Sequence, residues 1–244
     1  MQIPASRSQL RFGCGIIAPQ KTVNRHSIDM PPLLHAEQLT SIRAERCLFA
    51  GLSFAVSGGE LLQVVGQNGS GKSTLLGILA GLASPDEGQV YYQQQALTTH
   101  REAFYQDLLF LGHKAAVKAS LSALENVALQ RQLDCGDSQP APTEQDWDNL
   151  AQLDLLGLEE LPAAQLSAGQ QRRIALCRLW SSPAKVWILD EPFTALDQAG
   201  IELLHQRIDQ HLAAGGCVVL TSHQPLLWQP QNYRTLTLQA QGVA

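Results

Sequence analysis

The chain is short of charge. Only 16% of its 244 residues are Asp, Glu, Lys or Arg, and they sum to −5. The basic surplus with which a nucleic-acid binder neutralises phosphates is therefore missing, and nucleic acid is disfavoured as a partner. Glutamine takes up part of the deficit, and a weakly charged surface leaves room for a protein interface. A run of about twenty apolar residues is also missing, so no segment is expected to span a bilayer as a helix, and action at a membrane needs a partner. The five cysteines, Cys14, Cys47, Cys135, Cys177 and Cys217, form no Cys-x-x-Cys pair. An odd number without metal spacing reads as free thiols in a reducing compartment. Residues 1–30 lack periodicity and the apolar core of a secretory signal. They read as a disordered, non-functional extension, with Met30-Pro31-Pro32 as an internal start.

What is present supports one good-sized core, or a core with a lobe attached, since 45% of the residues are hydrophobic. Alternating runs from Leu33 to Ile42 and from Leu48 to Val56, parted by a charged turn at Arg43 to Arg46, predict an antiparallel pair. A strand is expected at Leu61 to Val65 and a helix through Leu75 to Leu79. Short strands follow at Gln89 to Tyr92 and Leu108 to Leu111. From Ser120 to Leu161 helical spacing dominates, interrupted by a polar loop at Cys135 to Thr143. The pattern then gives a helix from about Ala168 to Trp180, a strand Val186 to Leu189, a helix from about Gln198 to Ala213 and a strand Cys217 to Thr221. Such alternation implies a parallel sheet covered on both faces.

The chemistry gathers in a few stretches. Gly66-Gln67-Asn68-Gly69-Ser70-Gly71-Lys72-Ser73-Thr74 lies between a strand and a helix. Its glycines let the backbone bend so that successive N–H groups and a helix N-terminus converge on one anion. Lys72 would reach the β- and γ-phosphates of a nucleotide, and Ser73 the Mg²⁺. The apolar strand Val186-Trp187-Ile188-Leu189 ends in Asp190-Glu191. Asp190 suits the acid that orders Mg²⁺, and Glu191 either polarises an attacking water or is a capping or solvated acid. In Leu166-Ser167-Ala168-Gly169-Gln170-Gln171-Arg172-Arg173, Ser167 is a good N-cap, and Gly169 lets a phosphate approach the first helical turn. One triphosphate hardly needs two such helix starts in one chain.

These stretches together resemble the ATP-binding cassette (ABC) ATPases, over residues 33 to 238 and in the family's order. Gly66 to Thr74 is similar to the Walker A loop, Leu166 to Gln170 to the signature, with Ala168 in place of the commoner glycine, and Val186 to Glu191 to the Walker B strand. Thr194-Ala195-Leu196-Asp197 resembles the D-loop, and His223, after Val218 to Ser222, the switch histidine. The resemblance implies an α/β P-loop NTPase fold: an ABC-type nucleotide-binding domain at 31–244 with a mixed sheet core, an antiparallel β subdomain and a small helical lobe at about 114–166. It implies ATP and Mg²⁺ as ligands and a second copy packed head to tail. Ser167, Ala168, Gly169 and Gln170 of one copy would close over the triphosphate held by the other, Glu191 would assist water attack, His223 would contact the γ-phosphate, and Asp197 would couple the copies. Read singly, His223 is a capping or surface histidine.

Two positions depart from the family pattern. The glutamine that usually senses Mg²⁺ and the attacking water falls on His113, whose imidazole can accept from a water or ligate a cation; the alternative is a histidine that only ends a strand. The aromatic that usually stacks on adenine falls near Arg43. Its guanidinium can stack on a base or stand as a solvated turn residue.

Arg43 to Arg46 with Leu48-Phe49, the Gly112-His113 joint, Leu121 to Asn126, Leu166 to Leu179, Trp187 to Asp197 and Ser222 to Leu226 jointly resemble one branch, the ATP-binding subunits of cytochrome c maturation (haem exporter) systems. That branch implies a peripheral subunit on the cytoplasmic face of the bacterial inner membrane, paired with membrane-spanning permease subunits. Its ATP hydrolysis would power haem export or release of a haem-loaded periplasmic chaperone. The alternatives are the ATPase of another ABC exporter, for drug, lipid or polysaccharide, and a soluble non-transport ABC ATPase.

Overall fold

A computed structural model describes residues 31–44, 46–136, 141–222, 226 and 228–239. The expected disorder of 1–30, and the switch position His223, lie outside the described residues. Alternation at the start of the chain builds the first sheet. Strands β1 (Pro32–Arg43) and β2 (Arg46–Ser57) pair antiparallel, with Leu34 opposite Val56 and Ala36 opposite Phe54. After β3 (Leu61–Gly66) and α1 (Lys72–Leu79), strand β4 (Glu87–Tyr92) returns to the other side of β1, and the short β5 (Gln95–Ala96) closes the order β2-β1-β4-β5. Leu34, Ala36, Val56, Val90 and Tyr92 point to one face and are buried with Leu75, Leu76 and Leu79 of α1.

Next come α2 (Arg101–Gln106), β6 (Leu108–Leu111), α3 (Ala123–Cys135), α4 (Glu144–Gln152), α5 (Ala168–Leu176), α6 (Arg178–Ser181), β7 (Val186–Leu189), α7 (Gln198–Ala213), β8 (Cys217–Thr221) and β9 (Tyr233–Leu238). The second sheet has the order β6-β7-β8-β3-β9, and every neighbouring pair in it is parallel. The expected mixed core thus resolves into two sheets, parallel pairs in one and antiparallel pairs in the other. Strand geometry explains how one apolar run serves two layers. Val186 and Ile188 face α1 and the first sheet, whereas Trp187 and Leu189 face α5 and α7, among Ile174, Leu204 and Ile208. A parallel sheet covered on both faces requires such continuous apolar strands.

The helices of the middle section are started by their caps. Ser122 and Glu125 form a capping box at α3, and Thr143 and Asp146 form one at α4. Asp146, fully buried, also accepts from Arg131 Nε through both oxygens at 3.1 Å, which pins α4 to α3. The single helix anticipated from Ala168 to Trp180 is in fact two. At Cys177 the backbone N–H is shared between the carbonyls of Arg173 and Ile174, and Arg178 is drawn onto α3 by a two-pronged pair with Asp134 at 2.7 Å. Among the described residues, no helix is long and apolar enough to cross a membrane.

Candidate functional site

Because β6, β7, β8 and β3 run parallel, their carboxyl ends share one edge, where ligands of open α/β sheets bind. That edge carries Gly112-His113, Asp190-Glu191, Thr221-Ser222 and the loop Gly66 to Thr74. The loop is shaped by close approach. A Cβ at Gly66 would lie 2.5 Å from the Leu238 carbonyl oxygen and 2.6 Å from Ser70 Oγ, so only glycine fits beneath the end of β9. Gln67, Asn68 and Gly69 are exposed, and Ser70 N–H closes a turn onto the Gln67 carbonyl at 3.1 Å. Helix α1 then begins at Lys72, with exposed Ser73 and half-buried Thr74 in its first turn. The first-turn N–H groups of a helix have no partner within it and form an anion-binding end.

Lys72 is 8% exposed, and its Nζ donates to the carbonyls of Gly66 at 2.7 Å and Gln67 at 3.3 Å. The ammonium is thereby held across its own loop. Ser70 Oγ is buried and bonds no protein group, and a Cβ at Gly69 would meet nothing within 4 Å. A buried hydroxyl without a protein partner and an open flank at Gly69, both within one loop, fit a loop built around a polyanion.

Asp190 and Glu191 are buried at the end of β7 and are fixed by a threonine on the neighbouring strand. Thr221 Oγ1 donates to Asp190 Oδ1 at 2.6 Å and accepts from the Glu191 N–H at 2.9 Å. Glu191 takes φ 51°, a left-handed conformation that costs a non-glycine residue about 1–3 kcal/mol and clusters at functional sites. The Ser73 hydroxyl and the Asp190 carboxylate are hard oxygen donors, the kind Mg²⁺ takes alongside phosphate oxygens and water. His113 follows β6 with its side chain exposed.

A second unassigned residue ties this edge together. Arg172, 5% exposed, donates through Nη1 to the carbonyl of Gly112 at 3.1 Å, with His113 O at 3.5 Å, and through Nη2 to those of Asp190 at 3.0 Å and Glu191 at 2.9 Å. Burial lowers its pKa from the ordinary arginine value, and the Asp190 and Glu191 carboxylates oppose that shift. The sequence does carry a signal for it. Arg172, Ala175, Leu176 and Leu179 fall on one helical stripe, and a charge on an apolar stripe must find buried partners.

The turn Leu166 to Gln170 lies at the start of α5. Ser167 caps the helix in a closed box, its Oγ accepting from Gln170 N–H at 3.2 Å and its N–H donating to Gln170 Oε1 at 2.8 Å. Ser167 and Ala168 are exposed. Gly169 has a reason within the chain itself, because a Cβ there would stand 2.7 Å from the Ala195 carbonyl oxygen. Arg173 reinforces that contact, donating to Asp197 Oδ1 at 2.7 Å, to the Leu153 carbonyl at 2.9 Å and to Asp154 Oδ2 at 3.1 Å. Asp197 caps α7, and the Gly200 N–H, then Arg173, hold its carboxyl below the usual carboxylate range. Gly169→Ala is accordingly expected to force the two turns apart at about 1–3 kcal/mol. Thermal unfolding should show it as a drop of about 2–4 °C per kcal/mol, with Ala168→Gly as the milder control.

Arg43 lies at the tip of the β1–β2 hairpin opposite Arg46, its side chain 50% exposed, with Nη1 bonded to the Ile42 carbonyl at 3.1 Å and 3.8 Å from Asp86. The hairpin borders the phosphate loop, since a Cβ at Gly71 would meet Leu48 at 3.0 Å and Phe49 at 3.3 Å.

Comparison with known proteins points the same way. Residues 49–194 match the model of a family described as ABC transporter. The chain is 54% identical over 211 residues, 86% of its own length and 94% of the relative's, to the cytochrome c biogenesis ATP-binding export protein CcmA of Idiomarina loihiensis. It is 48% identical over 206 residues, 84% and 96% of the two lengths, to the protein of that name from Escherichia coli K12. Among solved structures it is similar to a dimeric bacterial ABC transporter cassette, with TM-score 0.72 and 24% identity over 85% of this chain and 94% of that one. A dimeric cassette in a post-hydrolysis state with ADP and Pi aligns with TM-score 0.68 and 24% identity over 78% and 88%.

Proposed function

The chain belongs to the ABC transporter family, and within it to the cytochrome c biogenesis ATP-binding export proteins, and from that membership we propose that its ATP hydrolysis powers haem export, or release of a haem-loaded periplasmic chaperone, through membrane-spanning permease subunits of the cytochrome c maturation system. The observation that carries this reading is identity of 54% sustained over 94% of a relative's length. The subunit would sit peripherally on the cytoplasmic face of the bacterial inner membrane, as residues 31–244 with a helical lobe at about 114–166.

In this reading the loop Gly66 to Thr74 wraps the triphosphate, and Lys72 exchanges the carbonyls of Gly66 and Gln67 for β- and γ-phosphate oxygens. Ser73 and Asp190 would hold Mg²⁺, which when bound would supply the positive charge that neutralises the phosphates. Thr221 keeps Asp190 turned toward that position. Glu191 orients and polarises the attacking water, His113 stands in for the usual glutamine, and His223 reaches the γ-phosphate. Arg43 stacks on the base. Ser167, Ala168, Gly169 and Gln170 close over the nucleotide held by a second copy, to which Asp197 is coupled.

Deleting the gene should abolish c-type cytochromes detected by haem staining of the periplasm, with restoration by the intact chain. Retained staining would assign the ATPase to another exporter, for drug, lipid or polysaccharide. Fractionation away from membranes in the presence of the permease would favour a soluble ATPase instead.

A further inference from the structure

We propose that Arg172 is a positioning residue that couples the two nucleotide sites of a pair of copies; the inference rests on the dimeric reading above. Its two amino groups serve two different strands, Nη1 the end of β6 at Gly112 and His113, and Nη2 the end of β7 at Asp190 and Glu191. Both strand ends belong to the site of its own chain. Arg172 itself stands on α5, a little over one turn beyond the Ser167 cap. Ser167 and Ala168 are exposed, and the first turn they form is the part of the chain that would engage the other copy's nucleotide.

A rigid helix therefore carries, one turn apart, a contact to one nucleotide and the tie that sets the backbone around the water-orienting carboxylate of the other. When the first turn of α5 is drawn onto the partner's nucleotide, the guanidinium moves with it, and the carbonyls of Asp190 and Glu191 follow. The packing of Gly169 against the Ala195 carbonyl and the Arg173–Asp197 pair add stiffness to the same helix. The choice of arginine follows from geometry. A guanidinium offers donors on two amino groups in one rigid plane, whereas an ammonium is a point charge and an amide has a single donor nitrogen.

The test uses the full chain purified with its membrane partners, with ATPase rate measured against ATP concentration for wild type, Arg172→Lys and Arg172→Gln, and thermal unfolding of each alongside. Wild type should rise sigmoidally. In both variants the Hill coefficient should fall toward ~1 and kcat by about tenfold to a hundredfold, with half-saturating ATP changed less than about twofold. Lysine, which keeps the charge, should retain more than glutamine, and it carries the test if Arg172→Gln does not fold. Folded variants that keep the wild-type Hill coefficient overturn the proposal, as does a hyperbolic wild type. Lys72→Ala in the same preparation separates the two readings. A wild type no faster than Lys72→Ala removes the ATPase reading and the coupling with it, whereas an active wild type matched by its Arg172 variants removes the coupling alone.

Discussion

Lys72→Ala should bind ATP at least about a hundredfold more weakly than wild type, because two charge-assisted contacts to phosphate oxygens, each worth about 1.5–3 kcal/mol, disappear together. The structure gives the substitution a second consequence. Lys72 is 8% exposed and its ammonium bonds the carbonyls of Gly66 and Gln67, so alanine also removes a brace across the loop. Arg is no remedy, since a longer planar head must fit where a compact ammonium is already enclosed. Titration with a fluorescent ATP analogue reads the affinity, and circular dichroism shows whether the fold survives. Near-normal binding by a folded Lys72→Ala would refute the phosphate role of the loop.

Part of this site was legible without coordinates because backbone chemistry dictates its residue types. Glycines before Lys72 mark a loop that bends at close quarters, and Gly66 is indeed pressed against Leu238 and Ser70. Val186 to Leu189 and Cys217 to Thr221 were legible because strands buried on both faces must be continuously apolar, and both are fully buried. Helix α7 has the bounds that its spacing predicts, since Asp197 caps it.

What stayed hidden depends on partners far away in the chain. Strand β9 reads Tyr-Arg-Thr-Leu-Thr-Leu, an edge pattern with only Leu236 and Leu238 buried, and its identity as a strand comes from pairing with β3 along its length. Helix α2 is too short for a periodic signal and is held by the single buried Phe104. Thr221 and Arg172 bond groups on other strands, and no local spacing names those acceptors. Gly169 has a second reason to be small. Beside the room it leaves for a phosphate, the structure shows a contact within the chain, to Ala195, that demands the same smallness.

Glu191→Gln separates binding from chemistry more cleanly than any truncation of that residue, because the backbone of Glu191 is held independently of its side chain. Its N–H donates to Thr221 Oγ1 at 2.9 Å, and its carbonyl accepts from Arg172 at 2.9 Å and from the Thr194 N–H at 3.2 Å. Glutamine has the same shape and tolerates φ 51° no worse than glutamate, so the exchange removes the carboxylate and leaves the turn in place. A group that accepts or orients the proton of an attacking water contributes about 10²–10⁴-fold. The variant should therefore lose kcat by about that factor with ATP affinity preserved. If a second copy closes each site, blocked hydrolysis must also trap the closed state, and light scattering should show a dimer that forms with ATP and persists. Adding Ser167→Arg to Glu191→Gln should return the protein to monomer, since a bulky cation on the exposed cap obstructs the facing nucleotide site while leaving the chain's own phosphate loop intact. Unchanged turnover in Glu191→Gln would remove the residue from catalysis. Slow turnover without any dimer would keep the catalytic role and withdraw the shared site, because the phosphate loop would then be complete within one chain.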